Sequence, residues 1–405
     1  MHLKYLALKN FRLFADLELQ IPDRVILITG ANAQGKTTIL EAIYYLATFS
    51  SFHASSDRQL IQFSQREQQH PAEIHAIFES NKNHHIDVIL LLDSDINNVP
   101  RFRKAVKIDA QATPITEAIG RFNAVLFLPE MTQIIDSSPE YRRKYINLVI
   151  AQSNAHYLQV LSEYNAAIQQ RNALLKMIFE RKAKTDTLEV WDSKIVKTGA
   201  YLIKTRSEVL QQLEIESHTI HYQMSNQHES LAIRYAPSFN PSSSLNNGQS
   251  ELQLVTEDGS EFLAFDHLSL EEMETAYQDA LWQSRRTDIQ RGVTTIGPHR
   301  DDIRFLSNNT DLGYYGSRGQ IRTALISLKM AEAVWLEQAT GSKPVLLFDE
   351  VLAELDNDRR ADFLKQLIAG HQVFLTTTDA NLFPDAYQEK YETWHITGGI
   401  VRQNH

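Results

Sequence analysis

The sequence predicts an α/β fold that is interrupted by a mainly helical inserted domain. Three observations carry this prediction. An apolar run, Val25–Ile28, is followed by a glycine-bounded loop and then by apolar residues at helical spacing over residues 39–47. A second apolar run, Val345–Phe348, lies in the C-terminal part of the chain and has the composition of a buried parallel strand. Between these runs, residues 138–184 contain no glycine and favour helices.

The glycine-bounded loop reads Gly-Ala-Asn-Ala-Gln-Gly-Lys-Thr, which fits the pattern of a phosphate-binding loop. In a strand–loop–helix context, backbone N–H groups surround phosphate oxygens, the lysine reaches the β- and γ-phosphates, and the threonine hydroxyl ligates Mg²⁺. The sequence therefore predicts ATP and Mg²⁺ as ligands, with Thr37 on the metal. The predicted ATP-binding residues are Gly30, Ala31, Asn32, Ala33, Gln34, Gly35, Lys36, Thr37 and Thr38.

Length and composition are those of an ordinary globular protein, with 405 residues, of which 43% are hydrophobic and 22% charged. The sequence has no cysteine, which excludes disulfides and thiolate zinc sites. It has no apolar run of membrane-spanning length and no signal-peptide core at its start, so we expect a soluble, cytoplasmic protein. The net charge of −10 argues mildly against coating nucleic acid, although DNA binding needs only a local basic face.

The N-terminal part of the chain shows the period-two pattern of strands. Residues 3–7 and 17–21 alternate apolar and polar residues and predict a hairpin, and short apolar runs over residues 73–78 and 86–92 predict further antiparallel strands. The next strand carries basic residues, and those two apart share one face. This face is either a solvated surface or a DNA contact. The candidate DNA-binding residues here are Arg101, Arg103, Lys104 and Lys107.

A long helix is predicted to begin at Ser138, where an N-cap residue, a proline and an acid follow one another. It pairs with a second helix over residues 186–216 as an antiparallel hairpin. The first helix carries a basic group that is either a solvated face or a second DNA contact, Arg142, Arg143 and Lys144. We expect three segments: the first part of an α/β head (1–137), an inserted helical arm (138–284) and the second part of the head (285–405).

The C-terminal apolar strand ends in two acids. Asp349 is placed to hold Mg²⁺, and Glu350 is placed to activate water against a γ-phosphate as the catalytic base. A second loop, Ser317–Gln320, directly precedes a helix and offers another helix N-terminus to an anion. On its own, such a loop is more often a turn than a site.

The order of these motifs resembles that of the ATP-binding-cassette (ABC) superfamily, with a phosphate loop, a Ser-x-Gly-Gln signature, an Asp-Glu strand and a Leu-Asp turn at Asp356. The resemblance implies a dimer in which the signature of one protomer contacts the ATP held by the other. Those signature residues are Ser317, Arg318, Gly319 and Gln320. The long helical insert between loop and signature resembles the SMC-type branch, so the expected fold is an ABC/SMC-type ATPase head with an inserted, mainly helical arm.

Several stretches further resemble the RecF family of bacterial recombination mediators: residues 6–12, 127–130, 138–144, 295–302 and 349–356. This resemblance implies an ATP-dependent homodimer with weak ATPase activity that binds gapped DNA and single-/double-strand junctions. It also implies RecR and RecO as partners in loading RecA.

Some features leave alternatives open. Thr376–Asp379 stands where cassette ATPases place a switch histidine, so the γ-phosphate sensor is undefined. The segment Gly297–Asp302 is either a structural turn or a direct participant. A soluble cassette ATPase that acts on protein or drives a transporter is the competing class. A small-molecule kinase would have no use for the signature loop.

Overall fold

A computed structural model describes residues 1–54, 56–63, 70–94, 100–241, 254–255, 261–262, 267–354, 360, 370–379 and 391–404. The chain forms two compact units. We call Met1–Met131 with Glu332–His405 the head unit, and Thr132–Ala331 the inserted unit. The inserted unit begins close to the predicted residue 138. It extends beyond the predicted end at residue 284 and therefore includes the signature loop.

The head unit contains a six-stranded sheet in the order β17-β16-β3-β15-β14-β8. All neighbours in it are parallel except the antiparallel pair β16 and β17. β3, β14 and β15 are buried along their whole length, as their unbroken apolar composition predicts. The strands are β3 (Val25–Thr29), β8 (Ala124–Phe127), β14 (Val345–Asp349), β15 (Val373–Thr377), β16 (Tyr391–Thr397) and β17 (Ile400–Asn404). Helix α1 (Lys36–Thr48) follows β3 and packs on β14 and β8.

A second six-stranded sheet of the head unit is antiparallel, with the order β2-β1-β4-β5-β6-β7. It confirms the predicted hairpin and the strands that follow it. The strands are β1 (His2–Phe11), β2 (Phe14–Gln20), β4 (Ala72–Glu79), β5 (Asn83–Ser94), β6 (Pro100–Ile108) and β7 (Gln111–Ala112), and a short helix α2 (Ile115–Ala118) follows.

The inserted unit is mainly helical, as predicted. Its helices are α3 (Gln133–Asp136), α4 (Pro139–Ala151), α5 (Ala155–Phe179), α6 (Glu189–Met224), α7 (Leu270–Arg291) and α8 (Leu312–Tyr315), and α9 (Arg318–Thr340) spans the division between the units. Two small sheets accompany them. They comprise β9 (Leu231–Ala236), β12 (Asp302–Ser307) and β13 (Thr310–Asp311), and the pair β10 (Leu254–Val255) and β11 (Glu261–Phe262). β12 pairs with β9, so β12 belongs to the inserted unit although it lies beyond the predicted end at residue 284.

The single long helix predicted from residue 138 is in fact two helices. α4 ends at Ala151, and the side chain of Asn154 caps α5 by accepting a hydrogen bond from the Tyr157 N–H. Asparagine is a favoured N-cap residue because its short side chain reaches the orphan N–H groups of the first turn. The helix pairing was predicted correctly, because α5 and α6 pack on each other.

The segment Gly297–Asp302 is part of a buried polar network within the inserted unit. The fully buried Arg206 donates to the Pro298 carbonyl at 2.6 Å, and Asp301 accepts from the Tyr235 hydroxyl at 2.6 Å. Gly297 has φ +116°, and a Cβ there would lie 2.0 Å from the Tyr277 hydroxyl, so only glycine fits. These contacts support the structural interpretation of the segment.

His299 lies in the same network. Its Nδ1 is 2.7 Å from the Tyr164 hydroxyl and its Nε2 is 3.1 Å from the Thr294 carbonyl. Burial lowers the pKa of His299 to about 4, so its imidazole is neutral at physiological pH. Because this pKa is lower in the folded chain, the stability that His299 contributes is present above its unfolded pKa near 6.5 and is lost as the pH falls toward 4.

Candidate functional site

Two glycines in the loop after β3 let the loop backbone lie close to neighbouring groups. Gly30 has φ +149°, and a Cβ there would lie 2.5 Å from the Ile396 carbonyl oxygen of the neighbouring strand. Gly35 has φ +113° and precedes α1. Within the described part of the chain, no side chain caps the first N–H groups of α1. These groups are therefore available to an anion at the helix N-terminus, as the motif predicts.

The other loop residues differ in exposure. Ala31, Asn32 and Ala33 are exposed, whereas Gln34 and Thr38 are half-buried. Gln34 accepts a hydrogen bond from the Gly398 N–H at 2.5 Å, which ties the loop to the turn between β16 and β17. This contact joins residues far apart in the sequence, and the motif pattern alone did not predict it.

Lys36 lies beneath the loop rather than on its surface. Its ammonium donates to the Gly30 carbonyl at 2.7 Å and to the Ala31 carbonyl at 3.3 Å. It also lies 3.2 Å from a carboxylate oxygen of Glu350. The lysine side chain is only 5% exposed, so its charge acts in a poorly hydrated site where electrostatic attraction to a phosphate is strong.

The predicted metal ligands are brought together by the parallel strands. The Thr37 hydroxyl donates to Asp349 at 2.8 Å. The other Asp349 oxygen accepts a short hydrogen bond from the Thr376 hydroxyl. One carboxylate and one hydroxyl are hard oxygen ligands that fit Mg²⁺, which commonly keeps waters and substrate phosphates as its other ligands. The described residues hold no cluster of three or more His, Cys, Asp or Glu that could hold a metal ion.

Glu350 is held in an unusual backbone conformation. It has φ +53°, a value that few non-glycine residues adopt, and its N–H donates to the Thr376 carbonyl. One carboxylate oxygen accepts from the Thr378 N–H at 3.2 Å, and the other faces Lys36. Thr376 and Thr378 therefore position the two acids. From the sequence, residues 376–379 were identified only as the stretch where cassette ATPases place a switch histidine, and this positioning role was not predicted.

The signature loop lies in the inserted unit and forms the start of α9. The Ser317 hydroxyl accepts from the Gln320 N–H at 3.2 Å, while the Gln320 side chain accepts from the Ser317 N–H at 3.0 Å. This reciprocal pair is a capping box. Gln320 also donates to Glu229 at 3.0 Å. Ser317, Arg318 and Gly319 are exposed, so this helix N-terminus is accessible to a second molecule. Asp356 lies outside the described residues.

The basic residues of β6 lie on opposite faces of the strand. Arg101, Arg103 and Lys107 are exposed on one face, and Arg103 lies 3.7 Å from Asp93. Lys104 points to the other face, where its ammonium donates to Asp57 at 2.6 Å and to the Phe49 carbonyl at 2.7 Å. Residues an even number of positions apart share one face of a strand, so Lys104 lies on the face opposite to that of the other three.

The basic residues of α4 also differ in their burial and in their partners. The Arg142 guanidinium contacts both oxygens of Asp302, at 2.6 and 3.0 Å, and donates to the Ser137 carbonyl at 2.5 Å. Arg143 is half-buried and donates to the Asp301 carbonyl at 2.8 Å, and burial lowers its pKa. Lys144 is exposed. Arg142 therefore has a structural role, and Lys144 is the member of this group whose side chain is exposed to solvent.

Replacement of Arg142 tests this distinction. We expect Arg142→Ala to lower the free energy of unfolding by about 3 kcal/mol, because it leaves the Asp302 carboxylate without its bidentate partner. The matched control, Lys144→Ala, should change it by less than about 0.5 kcal/mol. Urea unfolding measures both. A loss of DNA affinity in Arg142→Ala with unchanged stability would contradict the structural role.

A phosphate-binding loop, an acid pair at the end of a parallel strand and an inserted helical unit together define an ATPase head of the ABC/SMC type. Over residues 2–401 the chain matches the family described as RecF/RecN/SMC N terminal domain. It also matches the DNA replication and repair protein RecF of Halothermothrix orenii, with 33% identity over 99% of this chain and 98% of the relative. The RecF protein of Halalkalibacterium halodurans is 32% identical over the full length of both chains. The chain belongs to the RecF family.

Solved structures agree with this assignment. The structure of the recombination mediator protein RecF-ATP in the RecFOR pathway has a TM-score of 0.84 and 30% identity over 100% of this chain and 98% of that one. The RecF-ATPrS structure has a TM-score of 0.82 with 31% identity over the same shares. An Smc head domain from Pyrococcus furiosus, 15% identical with a TM-score of 0.51 over 100% of this chain and 96% of its own, shares the fold. No helix in the described part of the chain is long and apolar enough to cross a membrane.

Proposed function

We propose that this protein is an ATP-driven homodimer that binds DNA in recombinational repair. The observation that carries the proposal is that one chain has both a preorganised phosphate site and an exposed signature loop. Lys36, Thr37 and Asp349 are preorganised around the phosphate loop, and Ser317–Gly319 presents an open helix N-terminus. In the described structure, a Cβ at Gly319 would meet only the Ser317 hydroxyl, at 4.0 Å. A γ-phosphate held by a second protomer can therefore reach this surface.

The residues at the phosphate site fit ATP with Mg²⁺. Thr37 and Asp349 would hold the metal, which supplies charge neutralisation at the β- and γ-phosphates. Lys36 binds the phosphate oxygens, and Glu350 orients water and takes up its proton. Thr376 fixes the Asp349 carboxylate, and the Thr378 N–H fixes the Glu350 carboxylate. The chemistry is weak ATP hydrolysis that regulates DNA binding.

DNA binding by the dimer is proposed from charge and from the family. The accessible cations among the predicted residues are Arg101, Arg103, Lys107 and Lys144. They form small patches on a chain of net charge −10, and Arg103 is partly neutralised by Asp93. A single protomer therefore neutralises few phosphates, and two protomers pool their patches. We further propose gapped DNA and strand junctions as targets, RecR and RecO as partners in RecA loading, and the cytoplasm as the compartment.

The variant Ser317→Arg tests the link between ATP and DNA. A bulky, charged side chain at the signature should leave nucleotide binding by the monomer intact but prevent dimerisation. In the wild type, ATP should roughly double the slope of log affinity for duplex DNA against log salt, because two protomers then contact phosphates. In Ser317→Arg, ATP should leave the slope unchanged. Titration of fluorescent duplex at several salt concentrations measures it.

The conservative control for this experiment is Ser317→Thr, which keeps the capping hydroxyl and should retain the ATP effect. Equal slopes with and without ATP in the wild type would mean that one protomer holds the complete DNA site. That result would contradict the dimer as the DNA-binding species.

A further inference from the structure

A groove runs between α6 and α7 on the inserted unit, distant in sequence from both nucleotide motifs. The two helices run antiparallel, because Asp192 meets Arg285 at one end and Gly199 packs on Tyr277 further along. A Cβ at Gly199 would lie 2.4 Å from the Tyr277 ring, so this glycine permits the close approach. The groove encloses about 680 Å³. We propose that it is the docking site for a basic amphipathic helix of a partner protein.

The groove carries an exposed, preoriented tryptophan. Trp282 lines the groove and is 64% exposed, which is unusual for so large an aromatic side chain. The Arg285 guanidinium lies 4.2 Å from the centre of its ring and is itself held by Asp192 at 2.7 Å. Asp192 is fixed in turn by the buried Arg171 at 2.7 Å. Tryptophan is the residue type most enriched among binding hot spots, and a held ring loses little entropy on binding.

The lining of the groove is acidic. Apart from the ion pair between Asp192 and Arg285, four carboxylates and one lysine line the groove. The carboxylates are Glu189, Glu271, Glu274 and Asp279, and the lysine is Lys197. This lining repels DNA phosphates and complements lysine or arginine side chains. The chain's own segment 242–266 carries five carboxylates and no lysine or arginine, so its charge does not complement the groove.

The shape of the groove suits a helix. A groove between two packed helices accepts a third helix, whose residues at i, i+3, i+4 and i+7 enter it as anchors. The occupant that fits has one apolar residue over the Trp282 ring and basic residues toward Glu271 and Glu274. The inference rests on the proposed function only in its choice of probes, which are RecR and RecO of the same bacterium.

The test measures binding of purified RecR and RecO to the full-length protein and to matched variants. Trp282→Ala should weaken binding of one of the two proteins by tenfold or more. The double variant Glu271→Gln/Glu274→Gln should weaken the same complex and flatten its salt dependence, because two charge pairs are lost. The controls Ile215→Ala and Glu208→Lys lie on exposed positions of α6 outside the groove and should have no effect.

The inference is overturned if neither protein binds the wild type, if binding is unchanged in both groove variants, or if the control variants weaken it equally. Thermal unfolding identifies any variant that fails to fold, and the double variant keeps side-chain size. ATP-dependent dimerisation is measured on every variant. Retained dimerisation with lost partner binding assigns the effect to the groove. Absent dimerisation in the wild type counts against the proposed function instead.

Discussion

Glu350→Gln is expected to slow ATP hydrolysis by about 10²–10⁴-fold while ATP still binds. The amide keeps the shape of the carboxylate but cannot take up a proton from water. The Thr378 N–H still has an oxygen to bind, and Lys36 keeps its carbonyl partners. Because nucleotide binding continues while turnover stops, the ATP-bound dimer should accumulate. Single-turnover hydrolysis and equilibrium nucleotide binding measure the two effects separately.

The comparison for this variant is Asp349→Asn, which should weaken Mg·ATP binding itself, because Asp349 is the carboxylate beside Thr37. Normal turnover in Glu350→Gln would show that the proton acceptor lies elsewhere in the site.

Lys36→Ala is expected to weaken ATP binding by about 100-fold or more, equivalent to roughly 3 kcal/mol, because it removes a charge-assisted contact with phosphate from a poorly hydrated site. The fold should remain, since the lysine contacts loop carbonyls and Glu350 rather than the apolar core. Isothermal titration with ATP and circular dichroism together measure the effect. The matched control Lys82→Ala removes an exposed lysine of the head unit and should bind ATP normally. Wild-type affinity in Lys36→Ala would contradict its assignment to phosphate.

The sequence predicted local features well, because local patterns determine them. The strand, loop and helix around Gly30–Thr37 follow from an apolar run, two glycines and helical periodicity. Antiparallel strands followed from short apolar runs over residues 73–78 and 86–92. The order of the motifs along the chain was sufficient to predict the ATPase head, and the family comparisons confirm it.

Features that depend on distant partners were not predicted. In the sequence, Arg142 and Lys104 have the pattern of surface cations. Only the folded structure shows that Arg142 pairs with Asp302 and that Lys104 pairs with Asp57. Thr376 gains its role only when β15 aligns beside β14. The compact unit Thr132–Ala331 extends past the predicted residue 284, and the pairing of β12 with β9 within it is a long-range contact without a local sequence signal.

Sedimentation velocity measures whether ATP joins two protomers. The wild type, Lys36→Ala, Ser317→Arg and Glu350→Gln are compared with and without ATP, in the presence and absence of duplex DNA. We predict a dimer with ATP in the wild type, a more persistent dimer in Glu350→Gln, and monomers in Lys36→Ala and Ser317→Arg. A wild type that stays monomeric with ATP and DNA would show that ATP does not join two protomers, and a Ser317→Arg variant that dimerises like the wild type would show that the signature does not form the dimer contact.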